Sequence, residues 1–87
     1  MKIKRPFQAY PLVEIVWDDA TTLAGGWAKK SRPPKHELSI SVGFLVKETD
    51  EHIVIAQDAD AEGHHNGRGQ IPKGTIKLMR TIRKADI

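Results

Sequence analysis

The chain has 87 residues, of which 39% are hydrophobic and 29% charged, and it carries a net charge of +3 with no cysteine. That length leaves room for one domain around one core, and that composition is typical of a folded soluble chain. The lack of cysteine excludes disulfides, thiol nucleophiles and thiolate-bound zinc, and no apolar run approaches the length of a membrane span.

Residues 1–11 read as an extended basic arm, with Lys2, Lys4 and Arg5, two prolines, and the aromatics Phe7 and Tyr10. Nothing in it resembles a signal peptide, so the expected location is the cytoplasm. Leu12 to Trp17 reads as the first strand, with Val13, Ile15 and Trp17 on one face. Asp18 to Thr22 has the short polar side chains of a strand end or helix cap, Gly25-Gly26 argues against a helix continuing there, and Ala28 to Lys35 with Pro33-Pro34 is a loop or a stiff connector.

The clearest periodicity in the chain is Leu38, Ile40, Val42, Phe44 and Val46 at spacing two, which predicts a long half-buried strand with those residues inward. Gly43 lies in its middle, where a missing side chain permits a sharp bend, so that one strand can serve both halves of a sheet. Glu48 to His52 is turn-like and Ile53 to Ala56 is a short β-branched strand. Gln57 to Gln70, with three glycines and no large apolar side chain, predicts a long loop. Ile71 to Gly74 reads as a compact turn, and Ile76, Leu78 and Ile82 form the inner face of a last strand from which Arg80 departs. Residues 83–87 read as a loose tail. Together these elements predict a single mainly β domain over residues 12–82. It is expected to be a small five-stranded SH3-like or Sm-like barrel made from a strongly bent antiparallel sheet. A core this small without covalent staples predicts a symmetric homo-oligomer.

Several of these segments recur together elsewhere: Val16-Trp17-Asp18-Asp19-Ala20, Gly26-Trp27, Val42 to Glu48, Ile53-Val54-Ile55-Ala56 and Ile71-Pro72-Lys73-Gly74-Thr75-Ile76. As a set they resemble short uncharacterised phage- and prophage-encoded proteins. The resemblance covers about half the chain and implies a viral or prophage origin, a small barrel, and the cytoplasm of the host cell as location. It transfers no catalytic residue, and it leaves out the basic arm and the His64-His65 segment.

Charge is unevenly distributed. Residues 1–36 hold seven basic and three acidic side chains, residues 37–70 two and seven, and residues 71–87 five and one. Basic ends around an acidic middle either offer a face to an anionic ligand or pair with each other. Lys29, Lys30, Arg32 and Lys35 form the densest basic cluster, with Trp27 close by, and Tyr10 and Phe7 beside Lys4 and Arg5 form a second; cations interleaved with aromatics suit nucleotides or single-stranded nucleic acid. Gly67-Arg68-Gly69-Gln70 offers a guanidinium and accessible backbone, with Lys73 close behind. The expected ligand-binding residues are therefore Trp27, Lys29, Lys30, Arg32, Arg68, Gln70 and Lys73.

His64 and His65, near Asp58, Asp60 and Glu62, are metal-binding residue types, but adjacent histidines diverge in extended chain, so the segment reads as solvated and no metal or cofactor is expected. Asp18 and Asp19 point to opposite faces of a strand, and no nucleophile–base spacing or dinucleotide fingerprint occurs, so no catalytic residue and no enzyme are expected. The expected function is binding of an anionic ligand, a nucleotide signal or RNA, with sequestration of a host defence signal as the use suggested by the resemblance. The alternative is a protein–protein adaptor that engages a host or virion protein.

Overall fold

The computed structural model describes residues 2–19 and 38–87. Five strands, β1 (Leu12–Asp18), β2 (Leu38–Glu48), β3 (His52–Ala59), β4 (His65–Pro72) and β5 (Ile76–Arg83), form one sheet in the order β4-β3-β2-β1-β5. Every ladder is antiparallel. A single 3-10 turn, Lys73–Thr75, joins the two edge strands. The chain is thus mainly β, as the periodicity predicts. The sheet is not closed, because β4 and β5 remain its two edges.

β2 organises the sheet by changing partners along its length. It pairs with β1 from Leu38 to Phe44 and with β3 from Phe44 to Glu48, so Phe44 is the residue bracketed on both sides. At Gly43, the position expected to bend, β3 comes close to the β2 backbone. A Cβ on Gly43 would stand 2.9 Å from the Ala56 carbonyl oxygen and 3.1 Å from Ile55 Cβ, so the two halves of the sheet approach each other only because that side chain is missing. A bulge between Leu45 and Lys47 then leaves Val46 outside the ladder and adds to the local twist.

The core is built from Val13 and Ile15 of β1, Ile53 and Ile55 of β3, and Ile71 of β4, with Trp17, Leu45 and Ile76 packed against it. Val13 and Ile15 are 1% and 0% exposed, and full burial of such a side chain contributes roughly 1.5–3 kcal/mol relative to exposure. Trp17 keeps its polar atom satisfied by donating Nε1–H to Ser41 Oγ at 3.0 Å.

Two expectations are corrected. The alternation in β2 is real but faces the other way: Leu38, Ile40 and Val42 are 60%, 68% and 53% exposed, whereas Gly43 is buried. The register gives the reason, since Val13, Ile15 and Trp17 lie opposite Gly43, Ser41 and Ser39. On this inner face large residues of β1 lie against small ones of β2. In β5 Leu78 and Ile82, expected inward, are exposed, as are Met79 and Thr81 on the other face, whereas Ile76 packs against the core as expected. The second correction concerns residues 57–70. They are not a long loop but most of a hairpin, with β3 running to Ala59 and β4 starting at His65. The ladder from His52↔Pro72 to Ala59↔His65 gives this glycine-rich segment its backbone partners, and Ile71 opposite Ile53 anchors it to the core.

The terminal segments meet across the sheet. The Leu45 N–H donates to the Pro11 carbonyl at 2.9 Å, and the Asp86 N–H donates to the Gln8 carbonyl at 2.8 Å. The Gln8 N–H in turn donates to Asp86 Oδ2 at 2.7 Å, and Arg5 lies 3.2 Å from the same oxygen. The tail expected to be loose therefore carries a reciprocal contact with the arm. Trp27, the connector and its prolines lie outside the described residues.

Candidate ligand groove on the outer face of β2, β3 and β4

Opposite the core, β3 turns His52 and Val54 outward while Ile53 and Ile55 are buried. In the ladder Val54 is flanked by Lys47 of β2 and Gln70 of β4, so these three side chains form one row across the sheet. Arg68, two residues from Gln70, shares its face. This curved surface holds a groove of about 380 Å³.

Val46 and Val54 supply its apolar lining, and the bulge at Val46 lets the next residue, Lys47, share the same face. Lys47 and Arg68 bring two permanent cations, His52 and His65 two imidazoles, and Thr49 and Gln70 neutral hydrogen-bonding groups. None of the eight lining residues is acidic, although the surrounding stretch is the acidic part of the chain. A concave surface lined by one sign of charge concentrates the opposite sign.

The walls of the groove are held in place. Thr49 Oγ1 accepts the His52 N–H at 3.0 Å and the Glu51 N–H at 3.3 Å, while the Thr49 N–H donates to the His52 carbonyl, which fixes the β2–β3 turn. At the other end the His65 ring packs edge-on to Tyr10, with centroids 5.8 Å apart and planes at 78°. Tyr10 is pinned by its hydroxyl donating to the Gly63 carbonyl at 2.7 Å. His65 Nδ1 is buried and has no hydrogen-bond partner among the described residues. Gly67 takes φ +65°, and a Cβ there would lie 2.7 Å from Gln57 Oε1, so this backbone conformation next to Arg68 requires glycine.

Of the residues expected from sequence, the structure brings together Arg68 and Gln70. Lys73 lies elsewhere: its ammonium contacts Glu48 at 2.7 Å and its N–H donates to the Glu51 carbonyl. Trp27, Lys29, Lys30 and Arg32 lie outside the described residues. Sequence reasoning missed Lys47, Thr49, His52, Val54 and His65. The signal available for Lys47 and Val54 was their position on either side of a short hairpin turn, which makes them cross-strand neighbours.

The β3–β4 turn is a separate, self-satisfied unit. Asp60 accepts the N–H groups of Glu62 and His64 at 2.9 Å each, and its other oxygen lies 2.9 Å from His64 Nδ1. Hydrogen bonding from the His64 backbone, and secondarily from its ring, holds the Asp60 carboxyl below the ordinary aspartate value. No group of three or more metal-ligating side chains occurs among the described residues. His64 is thus committed to its own turn, and His65 faces Tyr10 and the groove. Nor is any helix among the described residues long and apolar enough to cross a membrane. Comparison with protein-family models, with curated proteins and with solved structures finds no match to this chain.

Proposed function

We propose that this chain is a non-enzymatic binding module whose β2–β3–β4 groove takes an anionic ligand, a nucleotide or RNA. The observation that carries the reading is the lining itself: Lys47 and Arg68 with two imidazoles and two valines, and no carboxylate among the described residues. Neither cation is held in an ion pair among the described residues, so both can neutralise phosphate without first breaking an internal contact. The resemblance to phage and prophage proteins gives such a module a use, sequestering a nucleotide signal of host defence, and a homo-oligomer would present several such grooves. The test is a thermal-shift titration with nucleotides and oligonucleotides at low salt. A stabilisation that fades steeply as salt rises supports phosphate binding; no stabilisation by any of them removes the reading.

A second reading, a protein–protein adaptor, is favoured by a different surface. Ile40, Val16 and Leu78 are register partners across β2, β1 and β5, and with Leu38 and Val42 they make an exposed apolar area on the outer face, of the kind that marks interaction sites. Replacement of Ile40 by Asp should then abolish capture of a partner while leaving nucleotide binding intact.

A further inference from the structure

We infer that the groove is built for a single nucleotide rather than for a nucleic-acid strand, with the phosphate held by Arg68 and Lys47, the base laid on Val54, and its edge read by Gln70. The inference rests on the anionic-ligand reading above and narrows it to one ligand class.

Three features lead to it. The first is extent: about 380 Å³ lies at the small end of ligand-sized sites, which span roughly 300–1,000 Å³. The groove is also bounded, by the Thr49 turn at one end and by His65 against Tyr10 at the other. A strand-binding surface instead continues over several nucleotides, about 4–16 for a small barrel.

The second feature is the floor. Surfaces that grip single strands present a succession of exposed aromatic rings on which bases stack. Among the described residues the lining holds no Phe, Tyr or Trp, and Tyr10, which packs against the lining residue His65, is already engaged by His65 and Gly63. Val54 and Val46 are the only apolar side chains among the described lining residues, so the apolar contact on offer is small, of the order of one ring and not a run of bases.

The third is the placement of unlike groups. Arg68 and Gln70 lie two residues apart on one face of an edge strand, about 7 Å along it. Lys47 stands on the far side of Val54, two strand spacings or roughly 10 Å from Gln70. A guanidinium binds phosphate through paired N–H groups, whereas a primary amide offers a donor and an acceptor in one plane, the complement of a base edge. A bare anion site would need only the cations. The amide beside them, over an apolar floor, suits a ligand with a charged end and a hydrogen-bonding ring.

The test is calorimetric titration of the full chain at low salt with AMP, GMP, CMP, UMP, ribose 5-phosphate, inorganic phosphate and a single-stranded RNA octamer. The best mononucleotide should bind at least tenfold tighter than ribose 5-phosphate, and the octamer should not exceed it by tenfold. Arg68→Ala should weaken all phosphorylated probes at least tenfold. Gln70→Ala should remove most of the nucleotide's advantage and leave ribose 5-phosphate unchanged. Should that variant melt early, Gln70→Glu, of the same length, should reorder the four bases instead. Mononucleotides binding no tighter than ribose 5-phosphate, an advantage untouched at Gln70, or an octamer preferred more than tenfold would each overturn the inference while the anionic-ligand reading stands. No binding by any probe would overturn both.

Discussion

On the outer side of β2 two surfaces meet near Phe44. Toward β3 and β4 it holds the groove, lined by cations, imidazoles, an amide, a hydroxyl and two valines. Toward β1 and β5 it carries Leu38, Ile40, Val42 and Leu78, all more than half exposed, with one ion pair among them: Arg80 Nε donates to Glu14 Oε1 at 2.8 Å. The difference arises from one strand changing partner. Up to Phe44, small residues must face inward and push the large ones out. Past the bulge at Val46 the alternation shifts by one, and Lys47 joins the outer face beside Val54. A single register therefore yields a polar groove and an apolar face on the same sheet.

The comparison is broken most sharply by stability measurements along the inner and outer faces. Ile15→Ala should cost about 2–5 kcal/mol in chemical denaturation, since the residue is fully enclosed. Ile40→Ser, only one strand away, should stay within about 0.5 kcal/mol. Equal losses at the two positions would mean that the β2 face is covered in solution and that the inside-out reading of this strand is wrong.

Next in size is Gly43→Val. The added atoms meet Ala56 backbone and Ile55 at 2.9 and 3.1 Å, and overpacking of this kind costs about 1–3 kcal/mol. A neutral outcome in thermal melts would show that β3 does not approach Gly43 so closely.

The groove itself is tested by Lys47→Ala with Arg68→Ala. Together they should lower nucleotide affinity by one to two orders of magnitude and flatten the salt dependence, while the melting temperature stays close to that of the wild type because both side chains are exposed. The matching change on the other face, Arg80→Ala, should leave affinity unaltered.

The smallest expected effect belongs to the clasp between the termini. The Gln8 N–H, and secondarily Arg5, hold the Asp86 carboxyl below its ordinary value of 3.8. A carboxyl lowered in the folded state stabilises the fold above that ordinary value, and the contribution fades as pH falls through the lowered one. Asp86→Asn should therefore melt slightly earlier than wild type near neutrality, and the two curves should converge in acid. A gap that persists there would show that the carboxylate charge is not what ties the tail. The pair is partly exposed, so the difference should be modest.

Much of the strand content was legible because alternation and β-branching act locally. Val13, Ile15 and Trp17 were read onto the correct face, and Gly43 was singled out for the bend. Less legible was β4: His65 to Gln70 has no apolar period, and it is a strand only because β3 offers a partner for its backbone. The site divides in the same way. Arg68 and Gln70 stood out as polar groups between glycines, whereas His52, Val54 and Lys47 look like ordinary hairpin residues until the ladder sets them in a row beside β4.

The sequence by itself determined that this chain is mainly β with no disulfide, that its first strand has a face fixed by its own pattern, and that Gly43 is a position where a missing side chain matters. Those properties follow from side-chain shape and backbone freedom, which a residue carries wherever it sits. Only the tertiary structure decided which face of β2 points inward, since Leu38, Ile40 and Val42 are more apolar than Ser39, Ser41 and Gly43 yet too large for the space opposite Val13, Ile15 and Trp17. It also decided that Lys73 is paired with Glu48 while Lys47 faces the groove, because one unpaired residue at a bulge is enough to exchange the two sides of a strand.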